Sequence, residues 1–237
     1  MSNISFKLLI VSLITCFVAL NAYSQESLQL DSFNAPRSLD FLPSPPNENS
    51  LAFLNDKAIS EAALNGSKDS DIYKQAILDT GYSADSLSEN FSKSFGHKIS
   101  KQDTPILYNL VKLATKISSK ATASAKKEYK RIRPFVYYGK QTCNPVEEKS
   151  LGRYASYPSG HTTEGWAIAL LLAEINPDRQ KQILKKGYQF GQSRIICGAH
   201  WPSDVQAGYI VGGSVFAALN ASDQFRQLIV QARKEIS

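Results

Sequence analysis

Apolar residues recur along this chain at the three- and four-residue spacing that lines one face of a helix, and no stretch sustains the alternation of a strand. Leu51, Phe53, Leu54, Ala58 and Ile59 are spaced for a buried face, with Gly66 near the stop. Shorter helices are predicted over Ile72 to Leu78 and Leu87 to Phe95. Asp103, Thr104 and Pro105 read as a cap and a first-turn proline, after which Ile106, Leu107, Leu110, Val111 and Ala114 trace one stripe. That helix is expected to run on to Arg133, where Pro134 should end it, because the residue before a proline is pushed out of the helical region. Thr162 to Glu174 is apolar on nearly every side and predicts a buried helix. Asn176-Pro177 opens another, and Val205 to Leu219 is apolar enough to be central, with Gly208 and Gly212 placed to let a neighbour approach closely. Gln224 to Lys234 gives a last amphipathic helix. The fold class is all-α: a single compact helical domain over residues 51–237, with no internal repeat.

The first fifty residues depart from this pattern. Residues 1–24 read as a secretory signal peptide: Lys7 precedes a mostly apolar run from Leu8 to Leu20, and Ala22-Tyr23-Ser24 offers the small residues that a signal peptidase reads. Cleavage before Gln25 would leave a periplasmic or secreted protein. The apolar run is shorter than the ~20 residues of a membrane span, and so is Val205 to Leu219, so no stable membrane insertion is expected. Residues 25–50 carry Pro36, Pro43, Pro45 and Pro46 and read as an extended arm.

Charge and cysteines narrow the chemistry. The formal net charge is +6, and loss of the leader removes Lys7 and no acid, so the mature chain stays basic. It keeps Cys143 and Cys197, an even pair in an oxidising compartment, which favours a disulfide over a metal site. Such a bridge would tie the loop after Pro134 to the segment before His200.

Three segments concentrate the groups that a phosphate needs. In the first, Lys126 and Arg133 stand seven apart, which on a continuous helix is one face; by itself the stretch reads as a solvated basic face shared with Lys127, Lys130 and Arg131. In the second, Tyr157-Pro158-Ser159-Gly160-His161 runs straight into the buried helix. Ser159 could be an ordinary N-cap, or donate its hydroxyl to an anion that the Gly160 amide also approaches, with His161 beside it. The third holds Arg194, His200 and Asp204. Asp204 follows His200 by one helical turn, Pro202 suits the first turn of a helix, and Arg194 adds a fork of donors that fits phosphate. Alone, the His-Asp pair is equally well a capping pair beside a surface arginine.

Taken together, Lys126-x6-Arg133-Pro134, Pro158-Ser159-Gly160-His161 and Ser193-Arg194-x5-His200-x3-Asp204 resemble the three-part signature of the phosphatidic acid phosphatase type 2 superfamily. Phe41 to Pro46, Ala52 to Ala58, Arg131 to Phe135, Leu172 to Pro177 and Gly191 to Arg194 resemble its class A bacterial non-specific acid phosphatases, over roughly residues 39–234. Ala155 stands where that class usually has glycine, and Pro202 where it often has an amide side chain.

The resemblance implies the helical fold shared with vanadium haloperoxidases and hydrolysis of phosphomonoesters. It makes His200 a nucleophile that becomes a phosphohistidine, Asp204 its orienting partner and His161 the general acid. Lys126, Arg133, Arg194, Ser159 and Gly160 would hold the phosphoryl oxygens, with no cofactor and no metal. It implies small phosphate esters and nucleotides as partners, no nucleic acid, and a homodimer, with phosphotransfer to alcohols following from the covalent intermediate.

Rival readings are an apyrase-like nucleotide hydrolase, a vanadium-dependent haloperoxidase, a serine hydrolase using Ser159, His200 and Asp204, and a basic binding module. Ser159 lacks the Gly-x-Ser-x-Gly elbow of the serine enzymes. His97 is assigned a surface or loop role, and Tyr137, Tyr138 and the loops near Phe95 are candidate walls of the site.

Overall fold

A computed structural model describes residues 33–237, of which Asn34–Ser237 form one compact unit. The leader expected over residues 1–24 and the start of the arm lie outside the described residues. The described elements are all helical, as the periodicity predicts: α1 (Leu51–Leu64), α2 (Asp71–Leu78), α3 (Ala84–Phe95), α4 (Pro105–Tyr129), α5 (Pro134–Tyr137), α6 (Pro145–Leu151), α7 (Gly160–Ile175), α8 (Gln180–Ile196), α9 (Pro202–Asn220) and α10 (Asp223–Lys234). Within the stretch before α1, Ser38 and Leu42 are buried, and Ser38 lies within hydrogen-bond distance of Ser124 on α4.

The centre is α7, whose composition is apolar almost all round and which packs against α8, α9 and α4. Two glycines of α9 make that closeness possible. A Cβ on Gly208 would stand 2.7 Å from the Thr162 Cβ, and one on Gly212 would stand 2.8 Å from the Thr163 carbonyl oxygen. Ile168, Leu172, Val211, Val215, Leu110, Val111 and Ile117 on these helices are buried in the core.

Three local expectations are corrected. The buried positions of α1 are Phe53, Asp56 and Ser60, whereas Leu51, Leu54 and Ile59 are exposed. Phe53 of the stripe does turn inward, together with Asp56, which makes a buried ion pair with Arg131. Thr104 does not cap α4 with its side chain; the carboxylate of Glu235, from the chain's far end, accepts the amides of Ile106 (2.8 Å) and Leu107 (3.0 Å).

The third correction bears on the site. α4 ends at Tyr129, with Lys130 in the left-handed region at φ 44°, and Arg131 to Arg133 are not helical. Pro134 therefore begins α5 instead of ending α4. Lys126 and Arg133 do not share a helix face; they reach the same place from a helix and from the extended stretch after it.

Candidate active site

Two helix starts meet here. Ser159 caps α7, accepting from the Thr162 amide at 3.3 Å and the Thr162 hydroxyl at 2.8 Å, so the bland role of this serine is real. Helix geometry leaves the first-turn amides, Gly160's among them, without intrahelical acceptors. The Ser159 amide donates to the Asp204 carbonyl at 3.0 Å, which joins the start of α7 to that of α9. His200 immediately precedes the cap of α9, Pro202 takes the first helical position, and Asp204 accepts the Trp201 amide at 2.9 Å. The disulfide between Cys143 and Cys197, Cα atoms 4.6 Å apart, fixes the end of α8 against the segment leading into α6.

His200 is 1% exposed, and its Nε2 lies 2.9 Å from Arg133 Nη1. A guanidinium can only donate, so Nε2 presents its lone pair and the ring proton belongs on Nδ1. Nδ1 faces Asp204 Oδ2 at 3.5 Å, within ion-pair reach but with no hydrogen bond formed. The sequence spacing anticipates a tighter hold than this. Asp204 is already engaged, with Oδ1 accepting from Arg131 at 2.6 Å and Oδ2 from Ser156 Oγ at 2.5 Å. Burial first, then the charges of Arg133, Lys126 and Arg194, push the His200 pKa well below the ordinary imidazole value, so the ring is neutral.

His161, on the first turn of α7, faces opposite neighbours. Its Nε2 lies 2.8 Å from the Thr80 carbonyl oxygen and 3.0 Å from Glu147 Oε1, both acceptors, so this nitrogen carries a proton. Burial and then the Arg194 charge lower its pKa, while Glu147 and the Thr80 carbonyl pull the other way. Tyr82, half exposed, packs edge-on against the ring at 5.6 Å.

The cations differ in what they already hold. Lys126 Nζ donates to the carbonyls of Ala155 (2.7 Å) and Pro158 (2.6 Å). Burial, then Arg133, lowers its pKa to about 7. Arg133 bonds the carbonyls of Gly152, Ala199, Leu151 and Ala155 as well as His200, and burial lowers its pKa to about 10. Arg194, fully buried on the last turn of α8, gives Nη2 to Glu147 Oε1 at 2.9 Å. Its Nε and Nη1 have no protein partner, which leaves two convergent donors of a fork suited to an oxyanion.

The structure thus gathers Lys126, Arg133, Ser159, Gly160, His161, Arg194, His200 and Asp204 from five parts of the chain into one bonded and charge-coupled cluster. It also brings in residues that the sequence reading missed. Glu147 bridges His161 and Arg194, and the signal for it was the cysteine pair, since Glu147 follows Cys143 by four and Arg194 precedes Cys197 by three. Burial alone would raise the Glu147 pKa, but the His161 bond and Arg194 outweigh it and hold it below the ordinary carboxylate value. Arg131, grouped above with a solvated basic face, is buried and paired. Glu164 lies one turn below Gly160 on α7, nearly buried, with burial raising its pKa to about 8 against the charges of Lys126 and Arg194. His97 is exposed beside Phe95, and Tyr137 and Tyr138 pack on Trp201, with the Tyr138 hydroxyl donating to the Lys57 carbonyl.

Among the described residues no group of three or more His, Cys, Asp or Glu is placed to hold a metal ion, and no helix is long and apolar enough to cross a membrane.

The domain is all-helical, with two buried histidines and a cluster of cations at paired helix starts, and comparison with known proteins gives its class. The chain belongs to the PAP2 superfamily, whose family model matches residues 106–227, and within it to the class A bacterial acid phosphatases, which are phosphomonoesterases. It is similar to the non-specific acid phosphatase of Providencia stuartii, 42% identical over 209 residues that cover 88% of this chain and 84% of that protein. The non-specific acid phosphatase of Salmonella typhimurium is 43% identical over 83% of this chain and 79% of its own. An acid phosphatase of Zymomonas mobilis is 36% identical over 86% of this chain and 76% of its own length.

Proposed function

We propose that the chain hydrolyses phosphomonoesters in the periplasm, or outside the cell, through a phosphohistidine on His200. The observation that carries this reading is the pairing of His200 Nε2 with a group that can only donate, the Arg133 guanidinium, whose Nη1 lies 2.9 Å away. That pairing, with burial, leaves a neutral ring whose unprotonated Nε2 points into a cationic cluster. As Nε2 bonds to phosphorus, the ester P–O bond breaks and Arg133 can pass its hydrogen bond from the ring nitrogen to a phosphoryl oxygen. Asp204 steadies the positive charge that the phosphorylated ring acquires, its Nδ1 proton retained. His161, drawn into its protonated form by Glu147 and by the negative charge of the bound phosphate, gives a proton to the departing oxygen and becomes neutral, then takes one from the water that breaks the N–P bond.

Lys126, Arg133 and Arg194, with Ser159 and the Gly160 amide, hold the equatorial oxygens, and this charge makes a metal unnecessary. An alcohol or nucleoside in place of the water gives phosphotransfer from the same intermediate, and nucleotides fall within the substrate range. A homodimer and removal of residues 1–24 complete the proposal.

The decisive experiment is a rapid quench with phosphate-labelled aryl phosphate after exhaustive chelation. Label on His200, stable to base and lost in acid, with full turnover in chelator, is the expected result. Label on Ser159, or activity restored by one added metal ion, would refute it. A halide-oxidation assay with added vanadate tests the haloperoxidase alternative, for which no turnover is expected.

A further inference from the structure

Behind Asp204 lies a buried pair, Arg131 and Asp56, that the mechanism above does not use. Arg131, 8% exposed, lies in the stretch between α4 and α5. Its Nη1 donates to Asp204 Oδ1 at 2.6 Å and Ser203 Oγ at 2.7 Å, and its Nη2 to Asp56 Oδ2 at 2.7 Å. Asp56, on α1, accepts the Ser203 amide at 2.9 Å through Oδ1 and the Ser203 hydroxyl through Oδ2. The guanidinium stands 5.6 Å from the ring centres of both Phe53 and Trp201. The Arg131 carbonyl accepts the Ser156 amide at 3.1 Å, and Ser156 Oγ donates to Asp204 Oδ2 at 2.5 Å.

Arg131 therefore reaches Asp204 twice, directly at Oδ1 and through Ser156 at Oδ2. A carboxylate held at both oxygens cannot turn toward the imidazole one residue before the helix cap, and this sets the 3.5 Å gap to Nδ1. Stability by itself gives no reason for the cluster: two carboxylates and one guanidinium are expensive to desolvate, and apolar residues of like volume do as well or better at such places. What apolar residues cannot do is fix the direction of a charge. We propose that Arg131 and Asp56 are positioning residues for the reaction, setting where the Asp204 carboxylate stands against His200 and thereby the aim and tautomer of that ring. The proposal rests on the reading of His200 as nucleophile.

The charges that face His200 are Asp204 from α9, Arg133 from the stretch before α5, Lys126 from α4, Arg194 from α8 and His161 from α7. Against that background the two supports carry opposite signs. Loss of the Arg131 charge makes a positive ring easier to form, and loss of the Asp56 charge makes it harder.

The test compares R131K, R131M and D56N with the parent enzyme in thermal unfolding, in kcat and KM for an aryl phosphate, and in the acid limb of kcat/KM. R131K and D56N are expected to lower kcat about ten- to a hundredfold with KM within about twofold, as small misplacement of a reacting group does. The acid limb should move to higher pH in R131M and to lower pH in D56N, the substrate's own ionisation being common to all. Parent-level kcat in both R131K and D56N, or shifts of one sign in R131M and D56N, would overturn the proposal. Should R131M fail to fold, the kcat of R131K and D56N and a downward limb in D56N decide. An active His200→Ala enzyme would instead sink the underlying reading, which keeps the two failures distinguishable.

Discussion

The two histidines of the site are the same side chain at the edges of two helices, yet their surroundings assign them opposite chemistry. His161 Nε2 faces acceptors, the Thr80 carbonyl and Glu147, and so bears a proton. His200 Nε2 faces a guanidinium and so bears a lone pair. Burial lowers both pKa values, but only His161 has acceptors on Nε2 that pull the other way. The difference lies in what is aimed at one ring nitrogen, not in exposure, since both rings are almost fully buried.

The contrast breaks hardest at His200. His200→Ala is expected to lower kcat by about a thousandfold or more and to abolish acid-labile enzyme-bound phosphate, read by quench and label. His161→Ala keeps the nucleophile and removes the proton donor, so kcat should fall about a hundred- to a thousandfold. With an aryl phosphate, whose leaving group needs little help, labelled enzyme should accumulate in a burst, because the water step lacks its base. Equal loss of label in the two variants would erase the proposed difference between them.

The cations beside His200 sharpen the comparison by pH. Lys126 has its folded pKa lowered to about 7, so its charge is present below that value and is lost as pH rises through it. Sulfate, whose charge is fixed over this range, should weaken as a competitive inhibitor about tenfold from about pH 6 to about pH 8. Lys126→Arg, which cannot lose its charge, should flatten that slope.

The smallest effect concerns Glu164, whose folded pKa, raised to about 8, exceeds its unfolded value. The stability tied to its proton is complete below the unfolded value and is lost as pH rises through about 8, a few kcal/mol at most. Glu164→Gln should therefore narrow the gap in Tm between acid and mildly alkaline solution, with little change at acid pH.

Much of this was legible in the sequence because it is local. Helix starts are written in Ser159 and Pro202, the buried helix in the run that became α7, and the close approach of α9 in Gly208 and Gly212. The three short motifs name the clustered residues because each motif stands at or next to a helix end or an extended stretch, where a few adjacent residues decide direction. What failed was contact between distant segments. Period alone placed Leu54 and Ile59 inward beside Phe53, whereas the inward face holds Phe53 with Asp56, whose carboxylate meets Arg131. Continuity carried α4 to Arg133, whereas Lys130 in the left-handed region ended it and freed two arginines to enter the interior.

The sequence by itself determined that the chain is helical, which residues could handle a phosphate, and that two histidines are set at helix starts, since these follow from spacing, caps and side-chain chemistry. Only the tertiary structure decided what faces Nε2 of each ring, that Glu147 pairs with His161 and Arg194, and that Asp204 is held by Arg131 and Ser156 more closely than by His200. Those facts depend on which atoms of remote segments come within about 3 Å of one another, and hydrogen bonds of that length carry information that no local pattern contains.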